Sequence, residues 1–251
     1  MKRHLRLESI ENVRDLGGCP TADGKQTRWR AFVRADHFQP WSEATQQALV
    51  DYGVRLVIDL RAPHELKMNP NQIENSPHVT YLNIPFLPDE IDLSPRFRAL
   101  RDAMTDNHEM YTFMLEECKP HVGEIFSTIA KHNAPTTVFH CYAGKDRTGL
   151  IAAMLLGLAG TPEDAIIEDY ALTGEYLAER IEKVRAYASA LGEDTSRFDL
   201  LFASSPQTMR VTLDYLRERY GDIPNYLRSC GVSDEHVNTL RAMLVEESPS
   251  L

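Results

Sequence analysis

Residues 136–160 decide the fold of this chain, and they read TTVFHCYAGKDRTGLIAAMLLGLAG. The first four residues are β-branched or aromatic, which is typical of a buried strand. Residues 150–159 are apolar or small, and because this run is too short to cross a bilayer, it predicts a buried helix. A polar loop that contains glycine, residues 140–149, lies between the two. This order of strand, loop and helix predicts an α/β fold.

The loop between strand and helix has the chemistry of an anion site. A helix N-terminus presents unpaired backbone N–H groups with a partial positive charge, and consecutive N–H groups in such a turn can cradle an anion. Arg147 adds a planar guanidinium that can hold two phosphate oxygens. Cys141 is expected at the base of this cradle, where positive charge favours a thiolate. A thiolate beside a bound phosphate is a nucleophile directed at phosphorus.

Outward from this unit, strands alternate with helices in the first half of the chain, and helices dominate the second half. Further strands are predicted at 31–34, 54–60 and 79–84. Helices are predicted at 43–52, 111–131 with a break or second start at Pro120, 150–160, 162–172, 175–191, 205–219 and 233–246. Residues 85–108 are expected to be irregular, because three prolines interrupt them. We predict a central, mostly parallel sheet flanked by helices, in a single domain over residues 1–251.

Composition and charge limit the class of protein. The 251 residues are 43% hydrophobic and 25% charged, which is ordinary for a globular chain and excludes a disordered or fibrous one. With 27 basic and 37 acidic residues, the net charge of −10 argues against a general nucleic-acid or anionic membrane surface. The first residues lack the apolar core of a signal peptide. A cytoplasmic location is the default expectation, and secretion without a cleaved signal stays open.

The four cysteines are far apart, and no pair has a CxxC or zinc spacing. We expect them to be reduced thiols, and one of Cys19, Cys118 and Cys230 could form a reversible disulfide with an oxidised Cys141 if it lies nearby. The nine histidines show no metal-binding spacing. We therefore predict no metal and no cofactor, since phosphocysteine chemistry needs neither.

The loop matches Cys-x5-Arg-Thr, and the chain resembles the cysteine-dependent protein tyrosine phosphatases, in particular the atypical bacterial tyrosine and lipid phosphatases. Residues 12–18 (NVRDLGG) resemble the N-terminal motif of that group. Further similar blocks follow in order along nearly all of the chain, at 32–36, 58–61 with Glu65, 84–86 with Asp89, 220–221, 226–228 and 231–233. The resemblance implies a tyrosine phosphatase-like fold and phosphate monoester hydrolysis.

The resemblance and the loop chemistry together assign roles. Cys141 is expected to be the nucleophile that forms a phosphocysteine, and Arg147 to bind the phosphate through its transition state. Thr148 is expected to hydrogen-bond the departing thiolate when the intermediate is hydrolysed. His140 is expected to orient the loop and to tune Cys141 rather than to transfer a proton. The expected phosphate-binding residues are Tyr142, Ala143, Gly144, Lys145, Asp146 and Arg147.

The proton donor for the leaving oxygen is expected to be a carboxylic acid. Asp89 is the first candidate because it matches the family position, although residues 86–89 (FLPD) carry one residue more than the family loop. Asp146 is the second candidate, since an aspartate just before the arginine resembles the myotubularin lipid phosphatases. Another carboxylate is the third possibility.

Charged residues around the loop could bind phosphate, support the loop or be solvated. Lys145 either contacts a second phosphate at the rim of the pocket or is a solvated lysine. Arg14, Asp15, Arg34 and Arg61 are expected to support the loop or the fold, and an ion pair between Arg14 and Asp15 is one way to do so.

The predicted substrate is phosphotyrosine in protein, with phosphoserine, phosphothreonine and phosphoinositides as further substrates. A phosphoinositide phosphatase is the alternative, which Lys145 and Asp146 favour, whereas the acidic balance and Tyr142 count against it. Two other classes are weaker. A phosphate-binding module without catalysis is expected to lack Cys141, Arg147 or an acid, and a rhodanese-like sulfurtransferase does not match the glycines and motifs above. The sequence predicts no nucleic-acid partner and leaves the oligomeric state open.

Overall fold

A five-stranded sheet lies at the centre of this computed structural model, which describes residues 2–247. The strands in chain order are β1 (Arg14–Asp15), β2 (Gln26–Thr27), β3 (Phe32–Ala35), β4 (Leu56–Asp59), β5 (Thr80–Asn83), β6 (Thr137–His140) and β7 (Val245–Glu246). The central sheet has the order β1-β3-β6-β4-β5, with β1 antiparallel to β3 and every other pair parallel. Strands β2 and β7 form a separate antiparallel pair. The predicted mostly parallel sheet is confirmed.

Helices cover the sheet and build the second half of the chain. They are α1 (Glu43–Tyr52), α2 (Pro63–Met68), α3 (Asp89–Asp92), α4 (Pro95–Ala103), α5 (Asn107–Glu117), α6 (Lys119–His132), α7 (Asp146–Leu158), α8 (Glu163–Ala190), α9 (Phe198–Phe202), α10 (Pro206–Tyr220), α11 (Ile223–Ser229) and α12 (Asp234–Leu244), with a 3₁₀ turn at Gln72–Asn75. Over residues 2–247, none of the helices is both long enough and apolar enough to cross a membrane.

Strand β6 is the middle strand, and its side chains point alternately into two cores. Val138 lies opposite Val33 and Val57, and these three valines pack on one face with α1. Phe139 points to the other face, which carries the larger core formed with the C-terminal helices. Both faces of the strand are therefore buried, as its β-branched and aromatic residues predict. The loop after β6 consequently begins at the centre of the sheet.

Two sequence predictions about elements are wrong. Residues 85–108 are not irregular, because they contain α3 and α4; Pro95 occupies the first turn of α4, where proline is favoured, and Ser94 caps that helix. The predicted helices at 162–172 and 175–191 are one 28-residue helix, α8. Gly174 does not end it, because a single glycine inside a helix costs only about 1 kcal/mol and packing outweighs that cost.

Candidate active site

Residues 141–145 connect β6 to α7 at the carboxyl edge of the sheet. Helix α7 begins at Asp146, four residues earlier than predicted, so Arg147 and Thr148 lie in its first turn. Gly144 has φ +63°, and a side chain there would press a Cβ to 2.5 Å from the carbonyl oxygen of Ala35. The loop is therefore held tightly against β3, and only glycine fits at this position.

The carbonyls of residues 141–144 are bonded to donors outside the loop, and that of Lys145 accepts the first helical bond of α7. The bonds are His140 Nδ1 to Cys141 O (3.2 Å), His37 N to Tyr142 O (2.8 Å), Asn12 Nδ2 to Ala143 O (3.0 Å) and Gly144 O (3.1 Å), Arg34 Nη2 to Gly144 O (2.8 Å), and Gly149 N to Lys145 O (2.8 Å). Since the carbonyls of a turn are fixed from outside, its N–H groups are directed the other way. In the described part of the chain, no protein acceptor binds the N–H groups of residues 142–147. This arrangement is a cradle for an anion.

Cys141 is the first residue of the loop and is almost fully buried, with 1% of its surface exposed. The hydroxyl of Thr148 is buried and has no hydrogen-bond partner among residues 2–247. Its predicted bond to the Cys141 sulfur remains a prediction. The other three cysteines are buried free thiols of the larger core, and burial raises the pKa of Cys118 to about 12 and that of Cys230 to about 11.

Arg147 is held by Glu65 of α2. The two guanidinium Nη groups donate to the two carboxylate oxygens, with Nη2 and Oε1 2.9 Å apart. Burial opposes the charge of Arg147, but the paired Glu65 carboxylate outweighs it and holds the arginine pKa above its usual range. The Glu65 pKa is lowered in turn, because its bond to Arg147 outweighs its own burial. The fork of Arg147 is thus fixed in orientation at the edge of the cradle.

Lys145 is not the solvated lysine that one interpretation predicted. Its side chain is buried, and its ammonium group donates to Leu201 O (2.6 Å) and Ala203 O (3.0 Å) and lies 3.0 Å from Asp146 Oδ1. Lys145 therefore ties the loop to the segment around α9. The reason is that residues 201–203, which follow the long helix α8, lie against the loop, and the sequence does not reveal this contact.

His140 is fully buried. Its Nδ1 faces the Cys141 carbonyl, which can only accept, so the ring proton is on Nδ1, and Nε2 accepts from Asn71 Nδ2 at 2.9 Å. Burial lowers the pKa of His140 to about 4, although the nearby Asp59 carboxylate acts in the opposite direction. Asp59 is itself bound by Arg61. Arg61 thus supports the site indirectly, in keeping with its predicted structural role.

A chain of bonds supports the cradle from below. Asp169 of α8 accepts from Arg14 Nε (3.1 Å) and Arg34 Nη1 (2.6 Å). Arg14 donates to Asn12 Oδ1 (2.5 Å), and Asn12 binds the loop carbonyls. The suggested Arg14–Asp15 ion pair is absent among residues 2–247. Asp15 instead accepts from Gly17 N, Arg30 N and the Tyr52 hydroxyl.

A cavity of about 290 Å³ opens beside Arg147. The residues that line it are His64, Glu65, Leu87, Asp92, Phe97, Arg101, Met110, Met114, Asp146, Arg147 and Leu201. Of the two predicted acids, Asp146 lines this cavity, and its Oδ1 accepts from the Tyr111 hydroxyl at 2.6 Å. Asp89 is not among the lining residues, and its Oδ1 binds His64 Nδ1 at 2.7 Å. This bond to His64 lowers the Asp89 pKa.

Four residues at or near the site are not predicted from the sequence: Glu65, Asn12, Asp92 and Asp169. Glu65 and Asn12 lie within sequence blocks that resemble motifs of the phosphatase family. That resemblance is the signal that could have identified them as site residues. Nothing in the local sequence marks Asp92 or Asp169. Within residues 2–247, no group of three or more histidine, cysteine, aspartate or glutamate side chains is arranged to hold a metal ion.

A strand, an anion-binding loop and a helix at the carboxyl edge of a parallel sheet are typical of enzymes that bind phosphate esters. Comparison with known proteins narrows this class. Residues 5–246 match the model of the tyrosine phosphatase family. The chain therefore belongs to the tyrosine phosphatase family, as the sequence predicts.

Three bacterial relatives agree with the family. A tyrosine-protein phosphatase of Nostoc commune is 30% identical over 85% of this chain and 74% of its own length. A putative tyrosine-protein phosphatase of Cupriavidus necator is 28% identical over 90% of this chain and 84% of its own length. The triple specificity protein phosphatase PtpB of Mycobacterium tuberculosis is 26% identical over 95% of this chain and 98% of its own length. These similarities confirm a hydrolase of the phosphatase class.

Proposed function

We propose that the protein removes phosphate from phosphotyrosine in proteins through a covalent intermediate on Cys141. The observation that supports this proposal is the anchoring of the loop carbonyls from outside, together with loop N–H groups at residues 142–147 that have no protein acceptor among residues 2–247 and can bind a phosphate next to the buried Cys141. Three phosphate oxygens can be bound there while the sulfur faces phosphorus.

The reaction follows in two steps. The Cys141 thiolate attacks phosphorus, the bond from phosphorus to the substrate oxygen breaks, and a carboxylic acid gives that oxygen a proton. Arg147 and the loop N–H groups bind the oxygens on which charge accumulates. Water then attacks the phosphocysteine, its proton passes to the same carboxylate, and inorganic phosphate leaves with Cys141 again a thiolate. The Thr148 hydroxyl donates to that departing sulfur in this scheme, which is supported by its lack of any other hydrogen-bond partner among residues 2–247.

The proton donor in this scheme is one of the carboxylates near Arg147. Asp146 shares a cavity with Arg147, which supports it, and Asp89 lies on the adjacent short helix. Both assignments remain predictions.

A phosphoinositide phosphatase is the second candidate, favoured by the sequence of the loop. A phosphoinositide substrate carries a second phosphate, which needs a free cation at the rim of the pocket. The Lys145 ammonium is already occupied, because it donates to two carbonyls and contacts Asp146. We therefore place phosphotyrosine first. A cytoplasmic site of action remains a prediction.

The test is kcat/KM of the whole chain on 4-nitrophenyl phosphate, a phosphotyrosine peptide, a phosphoserine peptide and soluble phosphoinositides. We expect the phosphotyrosine peptide to be the best of the three biological substrates, and acid-quenched reactions to carry a phosphoryl group on Cys141 by mass spectrometry. Cys141→Ser is the control and should be inactive. Activity of Cys141→Ser equal to the wild type would contradict the mechanism, and a preference for phosphoinositides would move the second candidate to first place.

Sulfur transfer is tested in the same preparation. We expect no appreciable transfer of sulfur from thiosulfate to cyanide, because the chain belongs to the tyrosine phosphatase family and its motifs do not match a rhodanese-like sulfurtransferase. Rapid transfer that depends on Cys141 would favour the rhodanese-like class instead.

A further inference from the structure

Helix α3 presents two aspartates three residues apart, so both lie on one face of its single turn. That face is directed at His64 of α2. Asp89 Oδ1 lies 2.7 Å from His64 Nδ1 and 3.3 Å from its backbone nitrogen, whereas Asp92 Oδ2 lies 3.6 Å from Nε2. Asp89 is thus engaged by two hydrogen bonds, and Asp92 has only a loose contact with the ring.

The two aspartates also differ in where their carboxyl groups lie. Asp92 lines the cavity that contains Arg147, and its side chain is 15% exposed. Asp89 is 33% exposed and is not a lining residue of that cavity. A proton donor has to reach the oxygen that leaves a phosphorus atom held by Arg147. Asp92 shares its cavity with Arg147 and so lies on the side of the site where that oxygen is expected, whereas Asp89 does not line the cavity.

We propose that Asp92 is the residue that protonates the leaving oxygen of the substrate, an assignment that rests on the proposed phosphatase function. In the first step the O–H bond of the Asp92 carboxyl breaks as the bond from phosphorus to the leaving oxygen breaks, and the proton goes to that oxygen. In the second step the Asp92 carboxylate takes a proton from the attacking water. The residue ends the cycle protonated, and no further reactant is needed.

The charges around Asp92 suit this role. Burial raises its pKa and the Glu65 carboxylate adds to the effect, while Arg147, His64 and Arg101 act against them, and the balance is a raised value. Asp92 consequently stays protonated to a higher pH than Asp89, whose pKa His64 lowers. Asp146 faces the same cavity, but its Oδ1 already accepts from the Tyr111 hydroxyl and contacts the Lys145 ammonium, which fix its carboxylate. Among residues 2–247, Asp92 is thus the one of the three aspartates whose carboxyl group lines the cavity without accepting a hydrogen bond from a protein donor.

The experiment compares leaving groups in Asp92→Asn. For phenyl phosphate, a poor leaving group, we expect kcat/KM to fall about 100-fold or more, and for 4-nitrophenyl phosphate by clearly less, because nitrophenolate needs no proton. The decline of wild-type kcat/KM towards high pH reports loss of the acid proton, and it should disappear in the variant. Glu90→Gln is the matched control, since Glu90 is an exposed carboxylate on the same short helix, and it should behave as the wild type.

Two more comparisons decide the assignment. Asp92→Glu retains a carboxyl group one methylene further out, and it should recover part of the phenyl phosphate activity if proton donation is the role. Equal losses on both substrates in Asp92→Asn, or a loss that depends on the leaving group in Asp89→Asn or Asp146→Asn instead, would overturn it while leaving the phosphatase mechanism intact. An inactive wild type, or an active Cys141→Ser, would overturn the proposed function and this assignment together.

Discussion

Arg147 and Glu65, 82 positions apart in the chain, form an ion pair at the proposed phosphate site. Glu65 has a second task, because its Oε2 also accepts from the backbone nitrogen of Ala62 at 2.8 Å and so caps α2. One carboxylate therefore holds both the start of a helix and the guanidinium at the cradle. At the residue scale, this double bonding makes the arginine rigid before any phosphate arrives.

We expect Glu65→Gln to lower kcat/KM by about 10- to 100-fold, since a hydrogen bond between charged groups contributes about 1.5–3 kcal/mol. The loss should appear as weaker inhibition by inorganic phosphate as well as slower turnover, because Arg147 binds phosphate in both measurements. Glu124→Gln, an exposed position in the middle of α6, is the control. A Glu65→Gln enzyme with wild-type phosphate affinity would show that Arg147 needs no partner.

At the scale of elements, the cradle depends on donors from strands and loops that precede it in the chain. Asn12 lies just before β1, yet its amide binds the carbonyls of Ala143 and Gly144 on the far side of β3. Arg34 of β3 binds the second of these carbonyls too. The neighbouring elements therefore fix the direction of the loop N–H groups, which the loop sequence alone does not determine.

Asn12→Ala should loosen the loop and lower kcat/KM about tenfold or more, because small displacements of a catalytic group cost large factors in rate. Phosphate should also protect the variant less against thermal unfolding than it protects the wild type. Asn75→Ala, at an exposed position of the 3₁₀ turn, is the matched control. Unchanged activity together with unchanged protection by phosphate would exclude a positioning role for Asn12.

Lys145 joins the loop to the segment that contains α9. In Lys145→Met the ammonium that binds Leu201 O and Ala203 O is lost, so residues 198–205 should exchange their amide hydrogens faster than in the wild type. Lys183→Met removes a lysine from an exposed ion pair with Glu179 and serves as the control. Hydrogen exchange of the segment that matches the wild type would mean that Asn107, which also binds Leu200 O and Ala203 O, holds it alone.

At the scale of the whole molecule, Asp169 connects the two halves of the chain. Its carboxylate, on the long helix α8, accepts from arginines of β1 and β3 and from Arg3 of the N-terminal segment. Burial disfavours its charge, but the arginines outweigh this and lower the Asp169 pKa. The Asp169 carboxylate therefore compensates the positive charges of the buried arginines.

Asp169→Asn should therefore cost about 3–5 kcal/mol in the free energy of unfolding, because it leaves buried cations without a partner charge. Urea unfolding at neutral pH measures it. Asp164→Asn, on the same helix but in an exposed pair with Arg210, should change stability by less than about 1 kcal/mol. A small change in the free energy of unfolding of Asp169→Asn would show that the three arginines do not need this carboxylate to offset their mutual repulsion.

The central architecture could be predicted because its signals are local. Consecutive residues encode strand β6, the loop glycine and the apolar helix α7. Runs of β-branched residues predict the strands near 31–34, 54–60 and 79–84. The prediction that residues 85–108 are irregular is wrong, because proline disrupts the interior of a helix but is favoured in its first turn, where Pro95 lies. The break predicted before residue 175 failed because packing along α8 outweighs the propensity of Gly174.

The sequence by itself determined the fold class, the family and the loop that carries Cys141 and Arg147, since all of these depend on residues that are adjacent in the chain. Only the tertiary structure decided that Glu65 holds Arg147, that Asn12 and Arg34 bind the loop carbonyls, and that Lys145 is buried. It also decided which face of α3 turns Asp92 into the cavity. These contacts join residues far apart in the chain, and they form because parallel strands bring their carboxyl ends to a single edge and the helices then pack around it.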